Sequence, residues 1–296
     1  MKIFFIGSVS FSRKMLVELL DIALVNVVGI ATKSASSFNS DHDDISDLAI
    51  LNSIPFKFVK DINAPHIIDW IKSLSPDIIF CFGWSSLIKS NLLTIASKGI
   101  IGYHPAELPK NRGRHPIIWA LSLGLKRTAS TFFKMDNGAD SGPIISQELV
   151  EINDMDDAQS LYNKLVVVSQ QQVTRLTIQL ATGTEKWMQQ DDRMANHWRK
   201  RGKQDGLIDF RLHSTSIHNL VRALTSPYVG AHLIFEGSEE IKIWRTKLGE
   251  TLPLNIEPGK VMNINSDNEI QVKTADTSIW LVDHEFNALP QIGSYL

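Results

Sequence analysis

A histidine and an aspartate are the residues of this chain best suited to acid–base chemistry. His104 closes the apolar run "GIIGYH", and Asp140 lies in the glycine-containing segment "MDNGADSGPI". Histidine has an unperturbed pKa of about 6.5, so its ring can take up and release a proton near neutral pH. His104 is therefore a candidate for proton transfer, although a histidine at the end of a strand can equally be structural.

The residues after this histidine form a loop of distinctive composition, "HPAELPKNRGRHPIIWAL". Pro105 and Pro109 fix the backbone φ angle and stiffen the exit from the strand. Gly113 allows a tight return of the chain, so Asn111 and Arg112 are expected to face the same space as the histidine. Such a loop is typical of a ligand-binding or catalytic site.

Other common signatures are absent from the sequence. "GSVSFS" lacks the spaced glycines of a dinucleotide loop, and no G-x-x-x-x-G-K-[ST] motif occurs. His104 and His115 have no cysteine or acidic pair nearby at ligand spacing, so no metal site is expected. The single cysteine, Cys81, lies in the apolar run "DIIFCF", which favours a core position and a reducing compartment.

Short apolar runs alternate with helical patterns through the first half of the chain. "KIFFIG", "VNVVGIAT", "DIIFCFG" and "GIIGYH" are typical of buried strands, and amphipathic segments such as "SRKMLVELLDIA" lie between them. This order predicts an α/β fold with an open, doubly wound parallel sheet. Ligands of such sheets bind at the carboxyl ends of the strands, where "GYHPAELP" and "FGWSSLI" would lie.

The pattern changes near residue 185, and we predict a catalytic domain at 1–185, a linker at 186–205 and a smaller domain at 206–296. The linker is polar and charged, and its run "WRKRGK" is interpreted as a solvated face. The final segment combines one helical stretch, "SIHNLVRALT", with several strand-length runs broken by Gly, Asn and Asp. A small, OB-like β-barrel behind a leading helix fits this pattern.

The charge balance excludes some classes of partner. The chain of 296 residues has 30 Lys and Arg against 32 Asp and Glu, so nothing in its overall charge favours nucleic acid or an anionic membrane. Its N-terminus lacks a small-residue cleavage site, and no apolar run reaches the roughly 20 residues that cross a bilayer. A cytoplasmic location is expected.

The motifs, taken together, resemble the folate-dependent formyltransferases. "HPAELP", "RG" and "PIIWAL", followed by "TASTFFKMDNGADSGPIISQ", are similar to the central motifs of that family, which includes methionyl-tRNA formyltransferase and the nucleotide-sugar N-formyltransferases. "DGLIDFRLHSTSIHNLVRALTSPYVGAH" resembles the start of the family's C-terminal domain. The resemblance covers nearly the whole chain and is strongest to the sugar enzymes.

By this resemblance, His104 and Asp140 are the catalytic histidine and aspartate. The family carries an asparagine two residues before the histidine, and this chain has Gly102 there. An oxyanion donor of that kind contributes roughly 3 kcal/mol to transition-state stabilisation. Asn111 is the first candidate for a replacement donor and Ser85 the second. If Asn111 is the donor, Gly102→Asn is expected to rescue part of the turnover lost in Asn111→Ala, provided that the backbone there tolerates a side chain.

The resemblance implies 10-formyltetrahydrofolate as the formyl donor and no metal. The pterin ring would lie between the loop "FGWSSLI" and the turn "DNGAD". The residues expected to bind it are Ser85, Ser86, Leu87, Ile88, Asn137, Gly138 and Asp140.

The expected acceptor is the amino group of a nucleotide-linked deoxysugar, with lipopolysaccharide O-antigen synthesis as the expected setting. Residues 200–296 hold 10 Lys and Arg against 12 Asp and Glu, which argues against tRNA binding. Arg112 and Arg114 could bind the sugar's diphosphate, or an arginine there could tie the loop to the sheet. A tRNA formyltransferase, and a non-catalytic folate- or nucleotide-binding relative because of Gly102, stay as alternatives, and a homodimer is left open.

Overall fold

The computed structural model describes residues 1–35, 41–237 and 239–296. The strands are β1 (Lys2–Ile6), β2 (Asn26–Thr32), β3 (Phe56–Phe58), β4 (Ile78–Cys81), β5 (Ile100–His104), β6 (Arg112–Gly113), β7 (Arg127–Lys134), β8 (Ile144–Glu151), β9 (His197–Trp198), β10 (Ala231–Phe235), β11 (Glu239–Leu248), β12 (Val261–Ile264), β13 (Ile270–Lys273) and β14 (Ser278–His284). The helices are α1 (Ser10–Leu20), α2 (Ser46–Leu51), α3 (Pro65–Ser73), α4 (Ser90–Leu93), α5 (Pro116–Ser122), α6 (Ala158–Thr182) and α7 (Ser214–Leu224).

A seven-stranded sheet in the order β3-β2-β1-β4-β5-β7-β8 carries the predicted site. The pairs from β3 to β5 are parallel, as the sequence predicts, and β7 runs antiparallel to β5. The strand order reverses at β1 and β4, the topological point where ligands of open α/β sheets bind. The carboxyl end of β5, and with it His104, lies at the same edge of the sheet.

Aromatic side chains fix the strands that border this edge. Phe5, Phe80 and Phe132 are fully buried, and each ring lies against Phe82, with centroid separations of 5.8, 5.3 and 5.3 Å. Burying a side chain of this size contributes about 3 kcal/mol. This packing holds β1, β4 and β7 together in the core. The polar groups of the predicted site lie on the loops at the ends of the strands.

Ser12 ties two loops at the sheet edge together. Its hydroxyl accepts hydrogen bonds from the amides of Ser8 (3.2 Å) and Val9 (3.3 Å), and donates one to the carbonyl of Phe82 (2.7 Å). Ser12 is fully buried, so losing this oxygen would leave buried main-chain groups unpaired. The hydroxyl therefore sets the spacing between the loop after β1 and the loop after β4.

The second half of the chain contains a five-stranded antiparallel sheet in the order β10-β11-β14-β13-β12. Helix α7 lies against β11 and α5. Arg222 of α7 is nearly buried and donates hydrogen bonds to the carbonyls of Asn153 (3.1 Å) and Asp156 (2.8 Å). Its guanidinium anchors the connection that follows β8.

The chain divides into two interleaved compact units. The first comprises residues 1–113, 128–150 and 163–198, and the second comprises residues 114–127, 151–162 and 199–296. The predicted boundaries at residues 185 and 205 stay a prediction. None of the helices in the described ranges is long and apolar enough to cross a membrane.

Cys81 provides a test of the core. The thiol lies within a cluster of buried apolar side chains, and burial raises its pKa to about 12. At pH 8 only about one thiol in 10⁴ is then ionised, and the thiolate is the reactive form. We expect an aromatic disulfide reagent to label the native protein at least roughly 10²-fold more slowly than the protein in urea. Complete labelling of the folded protein within minutes would place Cys81 outside the core.

Candidate active site

His104 is held at the carboxyl end of β5 with one ring nitrogen occupied. Only 5% of the residue is exposed, and its Nε2 lies 2.8 Å from the main-chain oxygen of Asn111. A carbonyl can only accept, so Nε2 carries the hydrogen in this arrangement. Nδ1 lies 3.6 Å from Oδ2 of Asp140, longer than a hydrogen bond. In the neutral ring the lone pair is therefore at Nδ1, which faces the Asp140 carboxylate.

Asp140 is fixed by main-chain contacts on both sides. Its Oδ2 accepts a hydrogen bond from the amide of Gly113 at 2.9 Å. Its own carbonyl accepts one from Nε2 of Gln190 at 2.9 Å. The backbone of Asp140 has φ of +55°, a left-handed conformation that aspartate tolerates better than most residues. The carboxylate consequently faces His104 from a turn that has little freedom.

The loop from Asn111 to Gly113 returns beside β9 rather than over open space. β6 pairs with β9 in parallel, so that Gly113 lies opposite Trp198. A Cβ atom on Gly113 would lie 2.3 Å from the carbonyl oxygen of Trp198, and the φ angle there is +109°. The tight return predicted at Gly113 is thus present, and only glycine fits it.

Arg112 and Arg114 have different surroundings. Arg112 is 4% exposed, and its guanidinium donates to Oε1 of Gln190 (3.2 and 2.8 Å) and to Oδ1 of Asp192 (2.8 Å). It therefore ties its loop to residues 190–192, and not to the sheet as the alternative from the sequence had it. Arg114 is exposed. Burial, followed by the charge of Arg114, lowers the pKa of His115, so this second histidine is neutral at pH 7.

Position 102 has little room for the family's asparagine. A Cβ atom on Gly102 would lie 3.0 Å from Cγ of Met135 and 3.1 Å from Cζ of Phe133. Met135 packs against an apolar cluster that includes Phe133. An amide at position 102 would therefore enter apolar surroundings. Asn111, the predicted substitute, contacts His104 through its main-chain carbonyl.

Helix α4, which follows the first loop predicted to bind the pterin, is joined to the second loop by a hydrogen bond. The hydroxyl of Ser90 donates to Oδ1 of Asn137 at 3.1 Å. In the first loop, Asn63 holds the backbone by donating to the carbonyl of Leu87 and accepting from the amide of Lys89, both at 2.8 Å. Ser86 and Leu87 are exposed, Ser85 is half-buried and Ile88 is buried.

The turn of the second loop is closed by Asp136. Its Oδ1 accepts from the amide of Gly138 (2.9 Å) and from the hydroxyl of Ser141 (2.8 Å). A Cβ atom on Gly138 would lie 2.0 Å from Oγ of Ser141, so a side chain there would displace this hydroxyl from Asp136. This turn leads directly into Asp140.

Sequence reasoning missed two side chains that contact these loops, Gln190 and Asn196. Gln190 bonds to the Asp140 turn and to Arg112, and Oδ1 of Asn196 accepts from the amide of Asn111 at 2.8 Å. Both lie in the segment interpreted as a surface linker, where no periodicity or motif marks them. Within the described ranges, no three His, Cys, Asp or Glu side chains are grouped to hold a metal ion.

The fold and this site together define an α/β enzyme with a histidine–aspartate pair at the carboxyl edge of its sheet. Residues 1–177 match the family described as formyl transferase, and residues 200–291 match the formyl transferase C-terminal domain. The chain belongs to the formyl transferase family.

Three relatives illustrate the similarity. The bifunctional polymyxin resistance protein ArnA of Wigglesworthia glossinidia brevipalpis is 33% identical over 218 residues, which cover 73% of this chain and 33% of that protein. The chain thus spans about a third of the length of this curated relative. WlaRD, a sugar 3N-formyltransferase solved in the presence of dTDP and 5-N-formyl-THF, has a TM-score of 0.69 at 19% identity and covers 95% of this chain and 96% of its own.

An N-formyltransferase from Helicobacter canadensis, in complex with folinic acid and dTDP-3-aminofucose, has a TM-score of 0.70 at 18% identity. That match covers 95% of this chain and 98% of the other. At these identities the two structures establish a shared fold.

The crowding at Gly102 can be tested by stability measurements. Gly102→Ala should lower the free energy of unfolding by about 1–3 kcal/mol, because the new methyl group overpacks against Phe133 and Met135. Gly102→Asn should cost more, because its amide is buried without a partner. Gly202→Ala is the matched control, since nothing lies within 4 Å of its added Cβ, and its effect should stay within about 0.5 kcal/mol. Urea unfolding measures all three, and a Gly102→Asn protein as stable as wild type would contradict the packing argument.

Proposed function

We propose that this protein transfers the formyl group of 10-formyltetrahydrofolate to the amino group of a nucleotide-linked amino deoxysugar. The observation that carries the proposal is the placement of His104 between the Asn111 carbonyl and the Asp140 carboxylate, in a chain of the formyl transferase family. This placement leaves one ring nitrogen free to take a proton beside a fixed negative charge.

The chemistry needs one proton to move from the acceptor to the donor. The neutral amine attacks the formyl carbon, a new C–N bond forms, and a tetrahedral intermediate develops an oxyanion. The bond from that carbon to N10 of the folate then breaks, and N10 takes up a proton. Nδ1 of His104 would accept the amine proton and deliver it to N10, while Asp140 stabilises the transient imidazolium.

The oxyanion requires a donor that Gly102 cannot supply. We assign this role to the side-chain amide of Asn111. The main-chain N–H of the same residue is held in the loop by Oδ1 of Asn196. Protonated His104 would add positive charge to the same region. Ser85 is the second candidate, and its hydroxyl lies 3.5 Å from Nζ of Lys33.

The loops at 85–88 and 137–138 are our proposed pterin site. The bond from Ser90, at the start of α4, to Asn137 holds the helix after the first loop beside the second loop, so main-chain groups of both loops can act on one flat heterocycle. The exposed side chains of Ser86 and Leu87 leave the loop surface accessible. Asp140 follows the second loop and would lie next to the formyl group that this pterin carries.

A sugar acceptor is favoured over tRNA by charge. Residues 200–296 carry 10 basic against 12 acidic side chains, whereas tRNA binding needs a basic surface. The WlaRD and Helicobacter canadensis enzymes, whose fold this chain shares, were solved with dTDP or a dTDP-sugar. Arg114, which is exposed, is our candidate for the diphosphate. A place in O-antigen synthesis in the cytoplasm is part of the same proposal.

The function is tested by incubating the protein with 10-formyltetrahydrofolate and a panel of UDP-, dTDP- and GDP-linked 3- and 4-amino sugars. We expect release of tetrahydrofolate with at least one sugar, and none with the corresponding hydroxyl sugars. Charged initiator tRNA belongs in the same assay, and turnover with tRNA alone would replace the sugar assignment. Folate binding without turnover on any amine would indicate a non-catalytic relative.

His104→Ala and Asp140→Asn should each lower kcat by roughly 10²- to 10⁴-fold with little change in folate affinity, because both groups act in proton transfer. The matched controls are His66→Ala and Asp69→Asn, two exposed positions on α3. Rates are measured as tetrahydrofolate release and affinity by fluorescence titration. Near-normal kcat in either site variant would remove that residue from the mechanism.

Variants of Asn111 can separate the contribution of its side-chain amide to activity from that of its backbone conformation. The residue has φ of +64°, which glycine adopts freely and alanine does not. If the amide stabilises the oxyanion, Asn111→Gly and Asn111→Ala should both lower kcat about 10²-fold while KM for the sugar stays nearly constant. A wild-type rate in Asn111→Gly, with loss confined to Asn111→Ala, would show that only the backbone conformation matters.

A further inference from the structure

The segment of residues 188–198, which we call the strap, is hydrogen-bonded to the loops of the candidate active site at both ends. At its start, the main-chain groups of Met188 and Ile144 exchange two hydrogen bonds of 2.8 Å. At its end, β9 pairs with β6. The strap therefore follows the two loops that carry Asp140 and Asn111.

Gln190 joins both of those loops through one side chain. Its Nε2 donates to the carbonyls of Asp140 (2.9 Å) and Gly142 (2.7 Å), and its Oε1 accepts from Arg112. The donors and acceptors of this amide are thus all directed at the turn of Asp140 and at the loop after His104. Movement of one loop would be transmitted to the other through Gln190.

Asn196 makes a second connection. Its Oδ1 accepts from the amide of Asn111 at 2.8 Å, and its carbonyl accepts from the amide of Arg112 at 3.1 Å. These bonds hold Asn111 in its left-handed conformation, and that conformation points the Asn111 carbonyl at Nε2 of His104. The ring orientation of His104 therefore depends on a side chain far away in sequence.

We propose that Gln190 and Asn196 are positioning residues for the proton-transferring pair, Gln190 by fixing the turn of Asp140 and Asn196 by fixing the carbonyl that orients His104. This inference rests on the proposed function. Neither side chain contacts His104 itself, so each acts through main-chain groups of the loops. A strap that only stabilised the fold would not change the state of the His104 ring.

The ring state can be measured without any substrate. Nitrogen-15 and proton NMR of the imidazole should show His104 with its hydrogen on Nε2 in the wild-type protein. Asn196→Ala should shift the ring-nitrogen signals of His104 towards a mixture of the two neutral forms. Asn196→Asp keeps an acceptor for the amide of Asn111 and should retain the wild-type signals. Unchanged signals in Asn196→Ala would overturn the proposal for Asn196.

Kinetics test Gln190. Gln190→Ala should lower kcat about 10-fold with KM within twofold, because the geometry and not the binding surface is altered. Gln190→Glu keeps an acceptor for Arg112 but loses the donor to Asp140 and Gly142, so it should lose as much. Arg193→Ala is the matched control, since its guanidinium is 89% exposed and pairs with neighbouring Asp191.

A double variant separates positioning from general stability. If Gln190 acts through Asp140, adding Gln190→Ala to Asp140→Asn should lower kcat by less than twofold, because the step it supports is already lost. A full 10-fold loss in both backgrounds, or none in the wild-type background, would overturn the proposal. Absence of turnover in the wild-type protein would instead count against the proposed function, and the NMR comparison would still decide the role of the strap.

Discussion

The hydrogen bond from Nε2 of His104 to the carbonyl of Asn111 is the contact on which the rest of the site depends. It fixes which ring nitrogen carries a hydrogen and directs the other towards Asp140. Because a carbonyl oxygen can only accept, Nε2 carries a hydrogen in this contact whether the ring is neutral or protonated. The left-handed backbone at Asn111 is what brings that carbonyl to the ring, so a strained loop residue sets the chemistry of the histidine.

The fold supports this contact by separating apolar and polar groups along the strands. The aromatic cluster around Phe82 holds β1, β4 and β7, while Ser12 bonds to the main chain of the adjoining loops. A close-packed interior resists small displacements, so the loops at the edge of the sheet are attached to strands that do not move easily. Short-range hydrogen bonds then hold His104 and Asp140 at this edge.

Gly102 is closely packed by its neighbours. Phe133 and Met135 occupy the space beside the glycine, so the position is apolar. The hydrogen-bond partner of His104 is instead the main-chain carbonyl of Asn111, in the loop that follows β5.

The sequence by itself determined the α/β class, the strand that ends at His104, the core position of Cys81 and the family. These follow from apolar periodicity and local motifs, which depend on neighbouring residues. Only the tertiary structure decided that Arg112 is engaged by Gln190 and Asp192, that β7 runs antiparallel to β5, and that residues 188–198 contact the site. Hydrogen bonds between residues distant along the chain leave no periodic trace in sequence, because each needs only one polar atom at the right place in space.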